Sequence, residues 1–157
     1  MSVVLRKAKS LWSHSTFVKI HLVPVWVGLG VAKVCISVIS FRKLAGTFGC
    51  PVGPHAFCAP AGEWQEGVAS SIASSVQTAS RYTPWESNCF PQALVAIGLL
   101  RMYRIPYALF FGMNKRADNS GFNVHAWIHS GKVVVTGGRG FTKFVVVQGY
   151  IWTCDKR

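Results

Sequence analysis

The chain has 157 residues, of which 50% are hydrophobic and 14% are charged. This composition excludes a disordered chain, and the length suits one compact domain that buries roughly two thirds of its unfolded surface. Its formal net charge of +12 favours an acidic peptide, a nucleic acid or an anionic membrane as partner. The five cysteines include no Cys-x-x-Cys pair, and the start lacks a secretory signal pattern, so we expect reduced thiols in a cytoplasmic protein.

The first region, residues 1–46, is predicted to be helical. Its apolar stretch at residues 20–40 is long enough to cross a bilayer, but Pro24 and Lys33 interrupt it. A membrane span, an interfacial helix and a helix packed on the domain all remain open. Basic residues flank the stretch on both sides, so peripheral membrane contact also remains open.

Residues 47–62 are rich in glycine and proline, which predicts a loop. Cys50, His55 and Cys58 lie there and could form half of a zinc site. No second pair of ligands has a suitable spacing, so we prefer a loop with free thiols and predict neither a metal nor a cofactor.

The third region, residues 63–157, is predicted to be the main folded core. Residues 63–82 form a helix with one apolar stripe, because apolar residues recur there at helical spacing: Trp64, Val68, Ile72 and Val76. Strands follow at residues 107–113, 122–130, 132–137 and 141–150. The two middle strands form a tight hairpin.

A second helix is predicted to run from Cys89 to Met102, because Asn88 is a good N-cap and Pro91 suits a first turn. Cys89 then lies where free backbone N–H groups and the helix dipole stabilise a thiolate. A buried, inert thiol is the alternative interpretation. His125, on the first arm of the hairpin, is a candidate base, although a lone strand histidine is more often structural.

A helix-borne cysteine that faces a histidine on an adjoining sheet is the arrangement of papain-like and transglutaminase-like enzymes. The motifs PWESNC, HAW and VVVTGG follow in that order. On these motifs the chain resembles the transglutaminase-like cysteine peptidases that remove leader peptides in bacterial lasso-peptide biosynthesis. The resemblance implies an α+β fold with a papain/transglutaminase-like core, in which the helix bearing Cys89 packs on an antiparallel sheet bearing His125.

The resemblance also implies an activity. A thiol protease of this kind cuts a ribosomally made precursor peptide at the leader–core junction, and an ATP-dependent lasso cyclase then joins the freed amine to an Asp or Glu side chain. By the resemblance, Cys89 is the nucleophile and His125 is the general base and acid. Some members carry a fused leader-binding domain, and this chain is too short for one. We therefore expect a small separate leader-recognition protein.

The third catalytic residue does not carry over. Members with a full triad have an aspartate after HAW, whereas residues 133–138 of this chain contain no carboxylate. His129 lies on the same strand face as His125 but is a poor orienter for an imidazolium. The imidazole tautomer could instead be fixed by a backbone carbonyl or by one of three side chains: Asp155, Asn123 or Thr136.

The remaining predictions concern the surroundings of the thiol. The backbone N–H of Cys89 is the expected oxyanion donor, and the side-chain amide of Asn88 is a weaker candidate because its capping role competes. Trp85 and Trp127 are expected to wall the site and exclude water. Two alternatives stay open, an inactive partner that presents the precursor and a basic membrane or nucleic-acid binding module. No exposed aromatic platform for nucleic acid is visible.

Overall fold

A computed structural model describes residues 15–55, 57, 60–116, 120–138 and 140–153. The helices are α1 (Thr16–Val38), α2 (Phe41–Ala45), α3 (Glu63–Ser80) and α4 (Cys89–Met102), with single 3₁₀ turns at Gly53–His55 and Phe141–Lys143. The strands are β1 (Cys50–Pro51), β2 (Tyr107–Lys115), β3 (Phe122–Ser130), β4 (Val133–Thr136) and β5 (Val145–Trp152).

The strands form one antiparallel sheet in the order β1-β5-β2-β3-β4. The last strand thus lies between the short first strand and β2, an order that the sequence did not predict. Helices α1, α3 and α4 pack against one another, and α3 and α4 also contact the sheet. The predicted α+β fold, with a cysteine-bearing helix on a histidine-bearing antiparallel sheet, is confirmed.

Helix α1 packs against the domain along one face. Val25 and Leu29 on this face are almost completely buried. Near its start, His21 is hydrogen-bonded through one ring nitrogen to the Phe17 carbonyl and through the other to the Tyr103 hydroxyl. Among the described residues α1 is the one helix that is long and apolar enough to cross a membrane, judged by length and composition alone. Its outward face is exposed and apolar, at Ile20, Val23, Val27, Val31, Val34 and Val38.

Helix α3 follows the predicted stripe except at its first turn. Ile72 and Val76 are buried, but Trp64, in the first turn after the helix begins at Glu63, is 62% exposed. Small residues, Ala69 and Ser75 among them, complete the buried face and allow close packing.

The segment predicted as a loop, residues 47–62, contributes to both sheet and core. Cys50 and Pro51 pair with β5, and the Phe48 side chain is fully buried. The Tyr107 hydroxyl donates to the Phe48 carbonyl at 2.9 Å and accepts from the Arg101 Nε. Burial raises the pKa of Tyr107 to about 12, against the opposing effect of Arg101. The start of this segment, residues 48–51, is therefore anchored to the core and the sheet.

Candidate active site

Cys89 and His125 line one cleft, of about 310 Å³, where the start of α4 meets β3 and the turn after β4. The cleft thus brings together the two residues that the sequence predicted as nucleophile and base. The other lining residues come from the end of α3, from α4 and from the turn: Gln77, Ser80, Arg81, Gln92, Gly137 and Gly138.

The nucleophile candidate is the first residue of α4, as predicted. Pro91 is buried in the first turn, where its missing N–H costs no hydrogen bond. No acidic residue lies in this turn, so the positive end of the helix dipole is not neutralised locally. The Asn88 side chain makes no capping hydrogen bond, which removes the competing role expected for its amide. The Cys89 backbone N–H is one of the free amides at the helix start.

The loop before Cys89 is fixed by short polar contacts. The Thr83 hydroxyl lies 2.9 Å from the Ser87 hydroxyl and 3.0 Å from the Trp85 carbonyl. The Gln92 side-chain amide donates to the Ser87 carbonyl at 2.6 Å. These bonds tie the loop to the first turns of α4 and so hold the thiol at a defined place on the cleft wall.

Trp85 does not form the wall of the site that the sequence predicted, but has a structural role. It does not line the cleft but packs on α1, with its ring centroid 4.9 Å from that of Trp26. Gly30 leaves room for it, because a Cβ at that position would lie 3.0 Å from the indole ring. Trp26 in turn donates to the Tyr82 carbonyl. Helix α1 therefore holds the loop that precedes the thiol.

The imidazole of His125 is oriented by the main chain. Its Nε2 lies 2.7 Å from the carbonyl oxygen of Gly137. Because a carbonyl only accepts, Nε2 carries the proton in the neutral ring, and Nδ1 is left unprotonated. Of the orienting groups that the sequence left open, the backbone carbonyl is the one that bonds to this ring.

Gly137 is held in a conformation that few other residues can adopt. Its φ is +70°, and a Cβ there would lie 2.3 Å from the Ala126 carbonyl oxygen and 2.7 Å from the Cβ of Trp127. A larger residue would thus displace the turn that carries the carbonyl. The conformation of Gly137 therefore contributes to the orientation of His125.

Two aromatic rings stack on the imidazole of His125. The ring centroid of His125 lies 4.9 Å from that of Phe144 and 5.8 Å from that of Trp127, both in stacked geometry. Opposite His125 on β2 is Gly112, where a Cβ would lie 2.7 Å from the Trp127 ring. Trp127 is buried and stacks on the imidazole, so it restrains this ring. It does not line the cleft and so is not the wall that the sequence predicted.

Of the side chains predicted as alternative orienters, the two within the described residues, Thr136 and Asn123, form no hydrogen bond with His125. The Thr136 hydroxyl is buried without a hydrogen-bond partner, and the Asn123 side-chain oxygen accepts from Arg116 at 3.2 Å. Asp155 lies outside the described residues. His129 packs edge-on against Phe110 and Phe141, and burial lowers its pKa.

The described part of the chain contains no group of three or more His, Cys, Asp or Glu residues suited to hold a metal ion. Cys50 is exposed on β1, and Cys58, the third residue of the predicted half site, lies outside the described residues. Gln77, Arg81 and Gln92 also line the cleft, and the sequence did not predict them as site residues. Of these residues, only Gln92 could have been inferred from the sequence, because helical spacing places it one turn after Cys89.

A model of the transglutaminase-like superfamily matches residues 36–148. The chain therefore belongs to this superfamily, whose members are typically cysteine peptidases or acyltransferases. The match begins near the end of α1 and includes both Cys89 and His125. No curated protein and no solved structure matches the chain significantly.

Proposed function

We propose that the chain is a cysteine peptidase that removes the leader from a ribosomally made lasso-peptide precursor. The observation that carries the peptidase assignment is the pair of Cys89 and His125 on one cleft, with the imidazole held through Nε2 by Gly137. The lasso-peptide assignment rests on the motifs PWESNC, HAW and the glycine-rich turn.

The mechanism follows from the tautomer. The free Nδ1 of His125 takes the thiol proton, and the Cys89 sulfur attacks the carbonyl carbon of the scissile bond. The oxyanion that forms is stabilised by the backbone N–H of Cys89 at the start of α4. The imidazolium then gives its proton to the leaving amine, and water hydrolyses the acyl-enzyme to release the leader and regenerate the thiol.

Loss of the carboxylate weakens this pair without disabling it. A neutral carbonyl still selects the productive tautomer, but it stabilises the imidazolium less than a charged acceptor does. This argues for an active but slower enzyme over an inactive partner that only presents the precursor. No cofactor takes part in any step.

Partners follow from the same proposal. The exposed apolar face of α1 is a surface on which a small leader-recognition protein can dock, and the product amine is passed to an ATP-dependent lasso cyclase. The proposed location is the cytoplasm, with α1 packed on the domain and at most in peripheral contact with a membrane. A nucleic-acid partner is not part of the proposal.

The test is cleavage of a panel of lasso-precursor peptides by the purified protein, followed by mass spectrometry. We expect one cut at the leader–core junction. The rate of this cleavage should be lower by about a thousandfold or more in Cys89→Ala. Cys50→Ala is the matched control, because Cys50 is exposed and does not line the cleft. Cleavage by Cys89→Ala at the wild-type rate, or no cleavage of any panel member, would contradict the assignment.

A further inference from the structure

A second cavity, of about 400 Å³, is also lined by both Cys89 and His125. Its walls are otherwise almost entirely apolar: Phe41, Phe90, Phe111, Met113, Val124 and Val147. The described residues that line it include no Lys, Arg, Asp or Glu. The pair thus lines both this apolar cavity and the polar cleft that contains Arg81 and two glutamines.

A β-bulge builds one wall of this cavity. Strand β5 pairs Gln148 with Phe111 and Val146 with Gly112, so Val147 is an extra residue in the ladder. In a regular strand, neighbouring side chains point to opposite faces of the sheet, whereas here Val147 and Gln148 both line the cavity. The irregularity lies opposite Gly112 of β2, which pairs on its other side with His125.

The mouth of the cavity carries exposed apolar side chains. Val124, next to His125 on β3, is 62% exposed, Val147 is 45% exposed and Phe41 is 49% exposed. Because Cys89 and His125 both line this cavity, we expect a peptide bound across Cys89 to place a neighbouring side chain over its mouth. Burial of an apolar side chain there is favourable, whereas a carboxylate would lose its hydration without gaining a partner.

We propose that this cavity is a specificity subsite for a bulky apolar side chain, aromatic or branched aliphatic, next to the scissile bond. The inference rests on the proposed peptidase function and deepens it by naming the substrate class. Burial of such a side chain corresponds to a preference of about tenfold to a hundredfold in kcat/KM over a charged residue at that position.

The test is a defined library of synthetic peptides, cleaved by the full-length protein and read by mass spectrometry. We expect Leu, Ile, Phe or Met to be enriched, and Asp and Glu depleted, at one fixed position beside the cut. Val147→Asp is expected to abolish this enrichment. Val145→Asp is its matched control, because Val145 lies on the same strand, is 73% exposed and does not line the cavity.

A second pair of variants guards against misfolding. Val124→Asp is expected to act like Val147→Asp, and Phe122→Asp, an exposed neighbour on β3 outside the cavity, is expected to keep the preference. Cleavage without any apolar enrichment in the wild type, or enrichment unchanged in both cavity variants, would overturn the subsite and leave the peptidase standing. Absence of any cleavage would overturn the peptidase and the subsite with it.

Discussion

His125 and Gly137 are joined by a 2.7 Å hydrogen bond between the imidazole Nε2 and the main-chain carbonyl. Gly137 has a left-handed conformation, and its carbonyl fixes the tautomer that leaves Nδ1 free. It thus takes over one of the two roles that a carboxylate has in a complete triad. It supplies no negative charge for the imidazolium. The orientation of the His125 imidazole therefore depends on the path of the turn after β4.

Gly137→Ala tests this dependence. A methyl group would collide with the Ala126 carbonyl oxygen and the Cβ of Trp127, so we expect kcat to fall at least tenfold and stability to fall by about 1–3 kcal/mol. Gly140→Ala is the matched control, because its φ of +75° is similar but no atom lies within 4 Å of its Cβ position. Equal kcat values for the two variants would mean that the turn does not orient the base.

Gly112→Ala tests the support that Trp127 gives to the base. The new methyl group would lie 2.7 Å from the indole ring and 2.9 Å from the Cβ of Phe144, and both of these rings stack on His125. We expect a lower kcat and a Tm several degrees lower. Gly98→Ala in α4 has open space and should instead stabilise by about 0.5–1 kcal/mol, as measured by urea unfolding.

His129, the second histidine on β3, is expected to make the stability of the protein depend on pH. Burial lowers the pKa of His129 in the folded protein, so the unfolded chain takes up a proton first as the pH falls below about 6.5. Stability should therefore be full above that pH and decrease as the pH falls through the folded-state pKa. His129→Phe is expected to reduce this acid loss, measured as the difference in urea midpoint between pH 7.5 and pH 5. An unchanged difference would show that other groups cause it.

Cell fractionation tests the packing of α1. Insertion into a bilayer would withdraw Val25 and Leu29 from the core, so we expect the protein in the soluble fraction after a high-salt wash. Retention of all the protein in membranes would contradict a packed helix. In Val27→Ser/Val31→Ser, which changes only the exposed face, we expect weaker peripheral attachment and an unchanged Tm.

The sequence predicted those features that local chemistry decides. Asn88 and Pro91 mark the start of α4 at Cys89, and alternating apolar residues place β3 at Phe122–Ser130, as the structure has it. Features that depend on distant parts of the chain were not predictable. Trp85 packs on α1 because Gly30 leaves space more than fifty positions earlier, and Phe48 is buried because β5 lies beside β1.

The orienting carbonyl of Gly137 illustrates the same limit. A backbone carbonyl was one of the open alternatives. Because every residue has a backbone carbonyl, the sequence could not indicate which one bonds to His125. Only the +70° φ of Gly137 and the register of β3 against β4 direct this one at His125. The side-chain alternatives could be named from the sequence because their chemistry is distinctive, yet none of those in the described residues bonds to the ring.

The central claim is that Cys89 and His125 act as nucleophile and base, and the rate of thiol alkylation tests it most directly. Folded protein is treated with iodoacetamide at neutral pH, and each cysteine is followed by peptide mass spectrometry. We predict that Cys89 reacts at least tenfold faster than the exposed Cys50, and that His125→Ala removes this advantage. A Cys89 that reacts no faster than Cys50, or whose rate is unchanged in His125→Ala, would contradict the account.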